Sequence, residues 1–240
     1  MACVAAMREA GLSETFHAAA GLSLGEYSAL VMAGALAFAD ALRLVEKRGR
    51  FMAEACETDP GVMVSVIGLD DGIVEAICAE ARQDAMVVAA NYNSPGQVVI
   101  SGTRNGVDRA CELAKAHKAK RLIPLAVSGA FHSPLMEPAA ARLGELLEAT
   151  GFGVPQLTVV ANVTARPQES AEEIRRNLGA QVRSAVRWTQ TIQWLVGEGC
   201  DRFVETAPGA VLTGLVRRIA PEIERVNLAT ADALRAAAAG

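Results

Sequence analysis

The chain has 240 residues, 51% of them hydrophobic, enough to bury a substantial core as one large domain or two unequal ones. A formal net charge of −4 gives no overall positive field for a nucleic-acid backbone, and nucleic acid is set aside as a partner. Five scattered cysteines (Cys3, Cys56, Cys78, Cys111 and Cys200) form no C-x-x-C pair or metal-ligand spacing, so reduced thiols in a cytoplasmic protein without disulfides are expected.

In chain order, Arg8 and Glu9 interrupt the apolar start, so no secretory signal is read there. The apolar run around Ala29 to Phe38 ends at Asp40, short of the ~18 residues a membrane-spanning helix needs. Thr15 to Ala20 reads as a buried strand and Leu24 to Ala33 as a helix. Between them "GLSLG" puts Ser23 at the apex of a strand-to-helix turn, the arrangement of a nucleophile elbow. The G-x-S-x-G pattern alone is common by chance, and a polar residue in a glycine-rich turn is the competing reading. From Ala41 to Ala55 a helical wheel gathers Ala41, Leu44, Val45, Phe51, Met52 and Ala55 on one face, with Arg43, Glu46, Lys47, Arg50 and Glu54 opposite. Arg48 is the only charge on the apolar stripe. Its guanidinium must snorkel to water or meet a buried anion, and its planar fork suits a carboxylate.

The middle of the chain reads as strand Val62 to Ile67, helix Asp71 to Gln83, strand Met86 to Tyr92, strand Gln97 to Ser101 after a Pro95-Gly96 turn, helix Asn105 to His117 and strand Arg121 to Val127. That βαββαβ order is the ferredoxin-like split unit, expected over residues 59–127 as a small subdomain inserted into a discontinuous α/β domain of residues 1–58 and 128–240. The remainder reads as helix from Met136, strand Leu157 to Val160, helices Ser170 to Leu178 and Thr189 to Glu198, strand Arg202 to Glu205 and helix Ala210 to Ile219. This alternation predicts a mostly parallel sheet with helices on both faces. The Ala-rich tail after Thr230 reads as a frayed end.

A serine hydroxyl needs a base, and the chain has three histidines. His17 is expected to be packed within the strand before the turn, and His117 to lie on a solvated basic helix end. His132, in "SGAFHSPLM" just beyond a strand, occupies the kind of loop where α/β folds place their sites. No single acid is marked out to orient its ring, and a backbone carbonyl could serve. Nucleophile, base and buried arginine together point to acyl transfer of a group carrying a free acid. A serine esterase using water is the rival, but such enzymes order their triad Ser, acid, His, and no histidine follows His132. A non-catalytic fragment that keeps a carrier-binding surface is a third reading.

"GLSLGEYSAL", "RGRFM", "NYNSPGQVVISG", "GAFHSPLM" and "APGAVLTGLVRRI", in this order, resemble the malonyl-CoA:acyl carrier protein transacylases over almost the whole chain. The resemblance implies an α/β-hydrolase-like core with an inserted ferredoxin-like subdomain, and a malonyl group passed from coenzyme A to the phosphopantetheine thiol of acyl carrier protein in fatty-acid or polyketide synthesis. It implies Ser23 as nucleophile, His132 as base, the main-chain carbonyl of Gln181 as the group orienting the histidine, and Arg48 as partner of the malonyl carboxylate. Leu24 N–H would supply half of an oxyanion hole, and the ring of Phe131 would crowd a branched acyl group. Lys120 and Arg121, in the basic stretch "KAHKAKR", would meet the acidic carrier protein. No metal or cofactor is implied. Leu22 stands where the family often has histidine. The family's opening strand and "GQGSQ"-like loop have no match, which predicts a chain about seventy residues short at its start, in a fold that closes its sheet around one core.

Overall fold

Most of the helices, and the strands of the antiparallel sheet, bury the apolar side of their stretch of sequence. The computed structural model describes all residues except Gly11, Ser13, Glu14, Thr15, Ala207 and Gly240, and the side chains of Arg8 and Ala239. Helix α1 (Ala2–Glu9) precedes β1 (Ala18–Ala19), which pairs in parallel with β6 (Thr158–Val159). The strand expected over Thr15 to Ala20 is shorter than its apolar run, and its first residue, Thr15, lies outside the described residues. Pairing ends where the chain turns at Gly21. Helices α2 (Gly25–Met32) and α3 (Phe38–Thr58) follow. On α3, Ala41, Leu44, Phe51, Met52 and Ala55 are buried, and Arg48 is buried with them.

The next six elements are β2 (Gly61–Ile67), α4 (Asp71–Arg82), β3 (Val87–Ser94), β4 (Gln97–Thr103), α5 (Arg104–Ala116) and β5 (Arg121–Pro124). They form a βαββαβ unit whose antiparallel sheet has the order β3-β4-β2-β5. Val66, Val87, Val98 and Ile100 from the strands and Val74, Ile77 and Val107 from α4 and α5 interlock in one cluster. Each such burial contributes ~1.5–3 kcal/mol of transfer free energy. The β3–β4 hairpin turns through Pro95-Gly96, with Gly96 at φ +71°, a conformation open to glycine at little cost.

After β5 come a 3₁₀ turn (Pro134–Met136) and α6 (Glu137–Glu148). Then follow β6, α7 (Ala171–Gln181), α8 (Trp188–Gly197), β7 (Arg202–Glu205), α9 (Val211–Ile219), β8 (Glu224–Asn227) and α10 (Ala231–Ala239). Strands β7 and β8 pair in parallel. Leu30, Leu44, Met136, Leu143, Ile174 and Leu178 join α2, α3, α6 and α7 in a second core.

Besides β1, and β5, which ends at Pro124 rather than Val127, two further elements depart from the sequence reading. Strand β8 was not anticipated, because "ERVN" has a single strong apolar residue and owes its form to backbone pairing with β7. The tail after Thr230 is helix α10 rather than a frayed end. Alanine is the best helix former, and Thr230 Oγ1 accepts from Ala233 N at 3.1 Å, capping the first turn.

The βαββαβ unit is joined to the rest through β3. Tyr92 N donates to Val186 O and Val186 N to Ala90 O, both at 2.9 Å, and Thr189 Oγ1 donates to Tyr92 O. On the neighbouring strand, Ser101 Oγ donates to Phe131 O at 2.7 Å. A Cβ at Gly61 would overlap that of Ala130, and one at Gly129 would overlap the Cys56 thiol. The segment carrying Phe131 and His132 is thus wedged between β2, β4 and the end of α3.

Candidate active site

The turn between β1 and α2 is tight because its two glycines touch. A Cβ on Gly21 would overlap the backbone of Gly25, so only glycine lets the arms approach this closely. Ser23 sits at φ +53°, a left-handed conformation that a non-glycine residue adopts at some cost and that throws its hydroxyl outward. Asn162, just beyond β6, staples the strained turn. Its Oδ1 accepts from Ser23 N at 2.6 Å and its Nδ2 donates to Gly21 O at 2.8 Å. Beyond Leu24, the N–H groups of Gly25, Glu26 and Tyr27 close on the carbonyls of Leu22, Ser23 and Leu24. Among the described residues the Leu24 N–H has no acceptor, so a donor at the N-terminus of α2 stays available beside the serine.

His132 Nε2 lies 2.8 Å from Ser23 Oγ, and His132 Nδ1 lies 2.8 Å from the main-chain carbonyl of Gln181. A carbonyl can only accept, so Nδ1 carries the proton and Nε2 offers its lone pair to the serine. His132 is buried, and desolvation pushes its pKa down from 6.5 to about 4. The Gln181 carbonyl opposes that shift and the nearby Arg48 charge adds to it. The ring is therefore neutral at pH 7, the state a general base needs.

Arg48 enters from α3, only 5% exposed. Its Nη2 donates to Ser23 Oγ at 2.8 Å and to Gln181 Oε1 at 3.2 Å, and its guanidinium lies 5.9 Å from the Tyr27 ring centroid. Its buried Nε has no acceptor among the described residues. Burial lowers its pKa while Tyr27 and Glu26 raise it, and a guanidinium stays charged through such shifts. The serine is thus held by a donor on one side and a base on the other, beside a cation with an unused N–H. This arrangement can form a covalent acyl intermediate and attract an acyl group that bears an anion.

Ser23, His132, Arg48 and Gln181 form one hydrogen-bonded group, and Leu24 adjoins it with a half-exposed side chain. Phe131 is partly buried and packs against Met63, Ala90 and Val99 next to the histidine. Lys120 and Arg121 are exposed at the start of β5 and make no hydrogen bond with this group. His117 is exposed at the end of α5. His17 is exposed as well, not packed in a strand as expected, because pairing begins only at Ala18. Among the described residues no three His, Cys, Asp or Glu side chains are grouped to hold a metal ion.

Three residues not singled out from the sequence complete the site. Glu26 is fully buried and accepts from Asn162 N at 3.1 Å, Gln168 Nε2 at 2.9 Å and Gln181 Nε2 at 2.7 Å. Asn162 and Gln168 are buried beside it. Desolvation raises the Glu26 pKa, and the three N–H donors and Arg48 oppose the rise. The available signal was a carboxylate three residues after the serine, on the face of α2 that buries Tyr27, Ala29 and Leu30.

A sequence profile described as an acyl transferase domain matches residues 1–234. The malonyl CoA-acyl carrier protein transacylase of Escherichia coli K12 is 44% identical over 218 residues, 91% of this chain and 71% of that protein. Its Bacillus subtilis 168 counterpart is 42% identical over 231 residues, covering 96% of this chain and 72% of that one. The structure of the Coxiella burnetii transacylase superposes with a TM-score of 0.95 at 39% identity, covering 99% of this chain and 75% of the other. A malonyl-transacylase solved with its type II polyketide acyl-carrier protein gives a TM-score of 0.94 at 43% identity, over 99% of this chain and 78% of that one.

Proposed function

The chain belongs to the acyl transferase domain family, and from that premise we propose that it moves a malonyl group from coenzyme A to the thiol of acyl carrier protein through an ester on Ser23. The observation that carries this reading is the buried Arg48 guanidinium 2.8 Å from Ser23 Oγ. An ordinary esterase has no use for a desolvated cation beside its nucleophile. An acyl group ending in a carboxylate does, and a guanidinium whose Nε has no partner among the described residues keeps a donor for it.

The reaction follows from the geometry. His132 Nε2 takes the Ser23 proton as Oγ attacks the thioester carbonyl, and the oxyanion that develops is met by the Leu24 N–H at the start of α2. Collapse breaks the carbon–sulfur bond, and the leaving coenzyme A sulfur receives the proton from His132. The seryl ester is then attacked by the carrier thiol, whose proton passes to His132 and finally back to Ser23 Oγ. The Gln181 carbonyl holds the ring in one tautomer throughout and stabilises its charged form. Every proton and electron pair is accounted for without a metal or cofactor. Phe131, packed beside the histidine, is the residue we assign to crowd a branched acyl group.

We further take residues 1–58 with 128–240 as the catalytic unit and 59–127 as a subdomain whose exposed Lys120 and Arg121 attract an acidic carrier. Five free cysteines suit a reducing compartment such as the cytoplasm, and among the described residues no helix is long and apolar enough to cross a membrane. Steady-state rates with malonyl-CoA and phosphopantetheinylated carrier both varied test the scheme. Parallel double-reciprocal lines are expected from a ping-pong acyl-enzyme, and intersecting lines would overturn it.

A further inference from the structure

Glu26 takes no part in the scheme above, yet it is the most deeply buried acid near the nucleophile, at 0% exposure. Each polar atom it meets is a donor: Asn162 N, Gln168 Nε2 and Gln181 Nε2. The Gln181 amide is the informative partner. Its Nε2 faces three acceptors, Glu26 Oε2 at 2.7 Å, the Ser23 carbonyl at 3.0 Å and Asn162 Oδ1 at 3.5 Å, so the flipped amide would set oxygen against oxygen. With the flip forbidden, Gln181 Oε1 must point the other way, where it accepts from Arg48 Nη2 at 3.2 Å. Gln168 is fixed in turn, since its Oε1 accepts from Asn177 Nδ2.

We propose that Glu26 is a positioning residue for acyl-group selection: as an obligate acceptor it locks the Gln181 side chain with its oxygen toward Arg48, and so holds the guanidinium against Ser23 ready for the acyl carboxylate. Gln181 then serves the site twice, its main-chain carbonyl orienting the base and its side chain orienting the cation. The inference rests on the reading of Arg48 as the carboxylate's partner. It differs from a purely structural role for Glu26, which would affect every acyl group alike. A group acting through Arg48 affects only those that bear a negative charge.

The test compares kcat/KM for malonyl-CoA and acetyl-CoA, with carrier protein as acceptor, in four single variants and one double variant. Glu26→Met removes the acceptor and is expected to lower the malonyl-to-acetyl ratio at least tenfold, chiefly through KM for malonyl-CoA. Glu26→Gln keeps an acceptor oxygen on the Gln181 amide, its NH2 meeting Gln168 once the Gln168 and Asn177 amides flip together, and should hold the ratio within about threefold of the parent. Gln181→Met breaks the relay while keeping the main-chain carbonyl, and should reproduce the Glu26→Met loss even if that variant does not fold. In an Arg48→Ala background, Glu26→Met should leave the ratio unchanged. Equal losses for malonyl and acetyl in Gln181→Met would overturn the proposal, and so would a Glu26→Gln enzyme as unselective as Glu26→Met. If Arg48→Ala itself retains the parental ratio, the carboxylate reading fails and the inference falls with it. If Arg48→Ala loses the ratio while Glu26→Met and Gln181→Met keep it, the inference alone fails.

Discussion

Burial of His132 ties catalysis to acid stability in a way that can be measured without substrate. In the unfolded chain this histidine titrates near 6.5, and in the fold burial holds it at about 4. The unfolded chain therefore binds more protons between those values, so stability rises with pH across that window. The contribution is fully present above 6.5 and lost as pH falls toward 4. The whole difference corresponds to about 3 kcal/mol, and at pH 5 about 2 kcal/mol of it is gone. Glu26, raised by burial, acts with the opposite sign in an overlapping range, so the His132 part is isolated by subtraction. His132→Asn is the suitable reference, because the asparagine amide can still donate to the Gln181 carbonyl. Urea unfolding at pH 7.5 and pH 5 should show the parent losing about 2 kcal/mol more than the variant. The acid limb of malonyl transfer should likewise lie nearer pH 4 than 6.5. Identical pH dependence in the two proteins would refute the argument that desolvation keeps this ring neutral.

Other perturbations follow from the same geometry. Arg48→Ala should cost malonyl transfer about 3 kcal/mol, the scale for removing one partner of a buried charge pair, and acetyl transfer much less; equal losses would make Arg48 structural. Lys120→Glu with Arg121→Glu should raise KM for the acidic carrier severalfold at low salt and leave KM for malonyl-CoA nearly unchanged. Parallel changes in both would remove the patch from carrier recognition. Gly21→Ala places a methyl into Gly25 and should destabilise the protein by roughly 3 kcal/mol in chemical denaturation, whereas an unchanged midpoint would contradict the tight-turn argument.

Residues that break a local rule could be singled out from sequence. Arg48 interrupts an apolar stripe, Ser23 sits between glycines at a change of period, and His132 follows the end of a strand. The helices on either side of these residues, such as α3 and α5, were visible because their apolar spacing is a property of contiguous residues. Glu26 was invisible as a site residue because its meaning depends on Asn162 and Gln168, 136 and 142 positions away, which give it donors in the interior. Without those partners a buried glutamate would be too costly to predict. Strand β8 was missed for a related reason, since its stability comes from pairing with β7 and hardly from its own composition. The tail reads as a frayed end because of its low complexity, although an alanine-rich stretch behind a threonine cap is a strong helix signal.

The central claim is a malonyl ester on Ser23, and the most direct test is mass spectrometry of the protein after brief exposure to malonyl-CoA with no carrier present. The account predicts one malonyl group per chain, mapped to the peptide containing Ser23, absent in Ser23→Ala, and discharged when phosphopantetheinylated carrier is added. Malonyl found on another residue, or on Ser23→Ala to the same extent as on the parent, would contradict it.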